Sequence, residues 1–218
     1  MSAQAARGCL ITLEGIEGAG KSTQRETLAT TLTELGIPFL QTREPGGSPI
    51  AERIRALLLD PAHKGLCAQA ELLLVFAARA EHLDQTMRPA LEAGTWVLSD
   101  RFTDASFAYQ GGGRGIPAES ITGLESLVQG ELRPDLTFLF DLPAEIGLKR
   151  AKARADLDRF EAETLEFFER ARQVYLHRAK QEPGRFRVLD ATLDVEQVGR
   201  HVRQALIDFV TRMQSSGQ

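Results

Sequence analysis

The chain has 218 residues, 43% hydrophobic, 26% charged and 6% aromatic, with 26 basic against 30 acidic side chains and a formal net charge of -4. This balance excludes the broad basic surface needed to coat nucleic acid, and a length to be set against about 150 residues per domain reads as one domain that buries a full core. Apolar runs far short of the roughly 20 residues of a membrane span, no signal-peptide core behind MSAQAARG, and two distant cysteines, Cys9 and Cys67, point to a reducing cytoplasm.

The first predicted element, Cys9 to Leu13, is a short apolar strand that stops at a glycine-rich segment. A helical pattern follows from about Lys21 to Leu35, and Gly36 and Pro38 break it. Phe39 to Thr42 reads as a second strand running into the turn Arg43-Glu44-Pro45-Gly46-Gly47, with a helix from about Pro49 to Leu59 behind it. From Ala68 to Ala93, Leu72, Val75, Phe76, Leu83, Met87 and Leu91 recur at helical spacing, and Gly94 is a natural stop. Trp96 to Ser99 is a third strand ending at Asp100-Arg101, followed by a loop with three consecutive glycines, Gly111 to Gly113, and a helix from about Pro117 to Gln129. Leu136 to Leu142 and Phe186 to Leu189 are the fourth and fifth strands, and charged helices fill about 144–154, 161–181 and 194–213. Strands apolar throughout, alternating with helices, predict an α/β fold: a doubly wound parallel five-stranded sheet with helices on both faces. No linker or repeat divides residues 1–218.

Gly15-Ile16-Glu17-Gly18-Ala19-Gly20-Lys21-Ser22 matches the phosphate-binding loop G-x-x-x-x-G-K-[ST], and Thr23 follows it into the helix. The match sits between an apolar strand and a helix, where the mechanism requires it. Glycines let the backbone wrap a phosphate, N–H groups point inward and the helix dipole favours an anion. Lys21 would reach the β and γ phosphates of ATP, and the Ser22 hydroxyl would ligate Mg²⁺. A regulatory GTPase reads guanine through Asn-Lys-x-Asp, and this chain contains no asparagine. A small-molecule kinase fits better. In an open parallel sheet ligands bind beyond the carboxyl ends of the strands, so the loop, Arg43 and Asp100-Arg101 should converge on one crevice, with Asp100 placed for a direct or indirect Mg²⁺ contact. On residues alone, Arg43 could equally cap a helix at the surface, Phe76 could be core, and the charge run from Lys149 to Arg159 could be a solvated face.

The motifs Gly15-Ile16-Glu17-Gly18, Thr42 to Gly47, Phe76-Ala77-Ala78-Arg79, Asp100-Arg101, Ala108-Tyr109-Gln110-Gly111 and Arg133-Pro134-Asp135-Leu136, in this order over nearly the whole chain, resemble the bacterial thymidylate kinase family. The resemblance implies a P-loop kinase fold and transfer of the γ-phosphate of ATP to dTMP, usually by a homodimer with Mg²⁺. It implies that Phe76 stacks on the pyrimidine, that Arg79, Ser106 and Gln110 line the base site, and that Tyr109 closes on the sugar against a 2′-hydroxyl. Glu17, a carboxylate inside a phosphate loop, would face the 3′-hydroxyl of the acceptor. The segment at about 144–160 resembles the family's mobile lid. Because the phosphate loop here holds no arginine, the lid would supply the transition-state cation from Arg150 or Arg154, which are one helical turn apart. Catalysis would then fall to Lys21, Arg101, Arg150 and Arg154, and Asp190-Ala191-Thr192 resembles the loop beside the adenine. Phe102 departs from the Tyr or His common in the family.

Overall fold

The computed structural model describes residues 7–63, 65–153, 159–161 and 163–216. Five strands form one all-parallel sheet: β1 (Leu10–Glu14), β2 (Phe39–Arg43), β3 (Trp96–Asp100), β4 (Leu136–Asp141) and β5 (Phe186–Asp190), in the order β2-β3-β1-β4-β5. Every residue of β1 is buried, as are the first five of β4, because helices cover both faces of the sheet and no side of these strands meets water. The predicted strands each lie within one residue of those observed. β1 pairs with β3 on one side and β4 on the other, so the strand order diverges beside it, and the segment after Glu14 leaves the sheet at a switch point.

The helices are α1 (Lys21–Glu34), α2 (Pro49–Leu59), α3 (Ala68–His82), α4 (Arg88–Glu92), α5 (Thr103–Ser106), α6 (Ala118–Gln129), α7 (Ala144–Lys152), α8 (Leu165–Gln181) and α9 (Val195–Ser216). Helix α8 starts later than expected because Thr164 caps it, its Oγ1 accepting from the Phe167 N–H at 3.2 Å. The long helix expected over 68–93 exists, with one wide π turn at Leu83–Met87 between α3 and α4. Pro89 has no N–H to complete a regular turn there, and the wider turn absorbs the loss.

One expectation is corrected. The segment containing Gly111 to Gly113 is not a loop: α5 runs into a π-helical stretch, Phe107–Gly113. A Cβ on Gly112 would come within 2.8 Å of the Arg170 carbonyl oxygen, and one on Gly113 within 2.3 Å of the Phe167 ring. These glycines serve close packing against α8, not backbone freedom.

Candidate active site

The phosphate loop is shaped by two backbones in contact. Gly18 is left-handed (φ 74), and a Cβ there would lie 2.0 Å from the Gly147 carbonyl oxygen, while one on Gly147 would lie 2.4 Å from the Glu17 oxygen. Only glycines allow the loop to touch α7 so closely. Gly20 caps α1 without a side-chain hydrogen bond, leaving the first N–H groups of that helix facing the space an anion would fill. Lys21 is buried, and its Nζ donates to the carbonyls of Gly15 and Ile16, both at 2.9 Å. Burial first, then the nearby Arg101 charge, pull its pKa down to about 8 against the opposing pull of Glu17, Asp100 and Glu14.

Arg101 follows β3 in a left-handed conformation, φ 71. Its Nη2 donates to Glu17 Oε1 at 2.6 Å, and its Nη1 donates to the Gly15 carbonyl at 3.1 Å and the Tyr175 hydroxyl at 3.3 Å. The guanidinium lies 4.7 Å from the Tyr109 ring centre, and the Tyr109 hydroxyl donates to Glu17 at 3.2 Å. Burial works against the charged form of Arg101, but Glu17 together with Tyr109, Tyr175 and Asp100 outweighs it and raises the pKa well above the ordinary value. The carboxylate that should repel a nucleotide is thus neutralised on the spot. Ser22 and Asp100 line the same cavity, of about 240 Å³, and Asp100 Oδ1 is buried with no hydrogen-bond partner.

The far wall of this cavity is built from ion pairs. Arg79 on α3 is 1% exposed, and it donates to Glu44 Oε2 at 2.7 Å, the Ser106 hydroxyl at 3.0 Å and the Phe102 carbonyl at 3.1 Å. Glu44 also meets His82 Nδ1 at 3.1 Å, and His82 Nε2 meets Thr42 Oγ1 at 2.6 Å. Burial pushes the Glu44 carboxyl up, but the Arg79 charge and the His82 contact outweigh it and hold it below the usual carboxylate range. Phe76 is buried with the Arg79 guanidinium 4.6 Å from its ring centre, and the cavity is lined by its neighbour Val75. Gln110 donates to Glu71 at 3.0 Å, and Glu71 pairs with Arg114 at 3.0 Å and Arg159 at 2.7 Å. Arg43 pairs with Glu52 at 2.9 Å near the surface, and Tyr109, Gln110, Phe160 and Glu161 line the cavity. The Phe102 ring is fully buried beside Arg79, 5.1 Å from its guanidinium, where no polar tip is required.

Arg150 sits elsewhere, on a second cavity with Thr23, Ala191 and Thr192, its Nη1 donating to the Ala191 carbonyl at 2.8 Å. Asp190 folds that segment by accepting from the Thr192 N–H at 2.9 Å and hydroxyl at 2.6 Å. Arg154 lies outside the described residues. Of the residues expected at the site, Glu17 to Ser22, Arg43, Arg79, Asp100, Arg101, Ser106, Tyr109 and Gln110 line one cavity and Gly15, Ile16 and Phe76 do not, while Arg55, which lines it too, was not foreseen, nor were the buried carboxylates Glu14, Glu44 and Glu71.

A parallel sheet whose central strand feeds a phosphate loop, faced by strand-end arginines across one cavity, defines a P-loop nucleotide kinase. Residues 13–202 match the family model described as thymidylate kinase, and the chain belongs to that family. A curated thymidylate kinase of Ectopseudomonas mendocina (strain ymp) is 63% identical over 191 residues, 88% of this chain and 91% of the relative. That of Pseudomonas entomophila (strain L48) is 58% identical over 205 residues, 94% of this chain and 98% of the relative. Among solved structures, the thymidylate kinase from Ehrlichia chaffeensis superposes with a TM-score of 0.74 at 34% identity, covering 92% of this chain and 98% of that one.

Proposed function

We propose that this protein transfers the γ-phosphate of ATP to dTMP, giving dTDP and ADP, as one cytoplasmic domain in which residues 144–160 serve as a lid. The observation that carries the reading, beside family membership, is a single cavity bounded at one end by Lys21 and Ser22 and at the other by Arg79 and Ser106, with the Glu17–Arg101 pair between them. A nucleoside monophosphate would lie in this cavity with its phosphate toward the loop. An oxygen of the dTMP phosphate attacks the γ-phosphorus while the bond from that phosphorus to the ADP oxygen breaks. The attacking oxygen is already anionic, so no general base is needed, and catalysis is positioning and electrostatics.

Lys21 would exchange its carbonyl partners for β and γ oxygens, and Arg101 would carry charge between the two substrates. Arg43 would anchor the acceptor phosphate, Glu17 the 3′-hydroxyl, and Tyr109 the face of the sugar. Arg79, Ser106 and Gln110 would enclose the thymine, with Phe76 buried behind Arg79. Arg150 and Arg154 would come from the lid, and Asp190, Ala191 and Thr192 would flank the adenine. Ser22 and Asp100, whose buried Oδ1 has no hydrogen-bond partner, would hold a hard divalent cation such as Mg²⁺. Such an ion supplies neutralisation of phosphate charge. Among the described residues no cluster of three His, Cys, Asp or Glu could hold a metal by itself, which suits a cation shared with the nucleotide. A homodimer is proposed with the family, supported by Leu73 on α3 and Leu127 on α6, large apolar side chains left 57% and 79% exposed on packed neighbouring helices.

ADP release measured with dTMP, dUMP, dCMP and thymidine tests the reading. The expected result is a clear preference for dTMP in kcat/KM. A preference for thymidine or dCMP would overturn the acceptor assignment.

A further inference from the structure

We propose that Glu14 is a positioning residue for the transfer, holding both the backbone turn and the guanidinium of Arg101 from behind the sheet. The proposal rests on the role given to Arg101 above. Glu14 ends β1, is 0% exposed, and does not line the cavity, so it touches no substrate. A carboxylate at the centre of a sheet is costly unless its oxygens are occupied. Both are occupied, and each partner leads to Arg101.

Glu14 Oε1 accepts from the Phe102 N–H at 2.8 Å. That N–H belongs to the peptide immediately after Arg101, whose left-handed φ of 71 is unfavourable for a side chain with a Cβ. The same turn is held by the Arg101 N–H on the Leu13 carbonyl at 2.9 Å and by the Ser99 hydroxyl on the Arg101 carbonyl at 2.7 Å. Glu14 Oε2 accepts from the Tyr175 hydroxyl at 2.8 Å, a contact spanning 161 positions of sequence. With its proton committed to Glu14, Tyr175 presents lone-pair density to Arg101 Nη1 at 3.3 Å. One buried carboxylate thus fixes where Arg101 starts and where its guanidinium ends. Burial, reinforced by Asp104, raises the Glu14 pKa, while the Arg101 charge and the bonds from Tyr175 and Phe102 favour the ionised form that accepts at both oxygens. A group so costly to ionise would ordinarily be replaced by an apolar side chain.

Two variants separate positioning from mere packing. Tyr175→Phe keeps the Phe102 bond and cuts only the route to the guanidinium. Glu14→Gln keeps an acceptor for the Phe102 N–H but offers an amide N–H to Tyr175, turning the phenol proton toward Arg101. Each should lower kcat about 10-fold to 100-fold while the KM for dTMP stays within about threefold, since a displaced cation costs the transition state more than the bound ground state. The double variant should lose no more than the worse single, because both act along one relay. Thr12→Val, in the same strand as Glu14, removes the buried 2.9 Å contact with Thr137 of β4 and should lower Tm and leave kcat unchanged. If wild-type protein fails to phosphorylate dTMP, the proposed function falls. If wild type is active and Tyr175→Phe keeps wild-type kcat, only the positioning claim falls, and a multiplicative loss in the double variant overturns the relay. Should Glu14→Gln not fold, Tyr175→Phe decides by the same criterion.

Discussion

The two ends of the cavity hold their cations differently. At the acceptor wall Arg79 is fixed to the buried Glu44, and Arg159 and Arg114 to the buried Glu71. At the phosphate end Lys21 rests on the carbonyls of Gly15 and Ile16, and in the second cavity across the phosphate loop Arg150 rests on that of Ala191. A carboxylate inside the protein is a partner that is hard to leave, because departure strands two charges. A carbonyl is neutral, and a phosphate oxygen replaces it with a stronger, charge-assisted bond. The acceptor wall is therefore built to keep its shape and the phosphate end to exchange partners. Arg101 has one hand on each, Glu17 on one side and the Gly15 carbonyl on the other.

The largest effect should come from breaking the rigid side. Glu44→Ala strands Arg79 and His82 in the interior, a loss of about 3–5 kcal/mol. At about 2–4 °C per kcal/mol for a chain of this size, Tm should fall by roughly 6–20 °C in thermal unfolding. A fall of only about 2 °C would mean that the wall does not depend on its ion pairs.

The mobile side should respond in the opposite sense. Lys21→Met removes a cation meant for phosphate, and kcat should drop about 10²-fold to 10³-fold, yet Tm should hold or rise. The sign follows from the folded pKa of Lys21, lowered from 10.5 to about 8. Between those values the unfolded chain binds the extra proton, so wild-type stability climbs with pH through that window, and below about 8 the native protein carries the full cost of the buried charge. The Tm advantage of Lys21→Met should therefore be greatest at pH 7 and shrink toward pH 10. An advantage that grows with pH would contradict a buried, charged Lys21.

The mobile side was also the legible one. Gly15 to Ser22, Arg43 and Asp100-Arg101 are contiguous runs at strand ends, where the peptide chain itself delivers the chemistry, and the parallel sheet was implied by apolar strands alternating with helices, although its strand order was not. The rigid side joins residues distant in sequence: Glu44 to Arg79 spans 35 positions and Glu71 to Arg114 spans 43. No local periodicity marks such partners, and an isolated glutamate in a helical pattern reads as solvent-facing. The glycine triplet misled for a related reason, since glycine serves both turns and close packing, and only the approach of Phe167 and Arg170 distinguishes them. Arg150 was legible as a basic residue of a lid-like segment, but its contact with Ala191 belongs to the tertiary structure.

Arg43 tests the comparison at its smallest scale, because it is a cation expected to move that nonetheless has a carboxylate partner. The pair with Glu52 is exposed, 48% and 41% for the two side chains, where solvent screening leaves an ion pair worth about 0–1 kcal/mol. Such a partner is nearly as easy to leave as a carbonyl. Glu52 also accepts from the Gly47 N–H at 2.8 Å through its other oxygen, so truncation would disturb the turn, whereas Glu52→Gln retains an acceptor there and removes only the charge. With its competitor neutralised, Arg43 should meet the acceptor phosphate more readily: the KM for dTMP should stay the same or fall, by at most about fivefold, with kcat and Tm unchanged. A rise in KM would show that Glu52 aims Arg43 at the substrate rather than merely parking it, and would move this pair to the rigid side of the cavity.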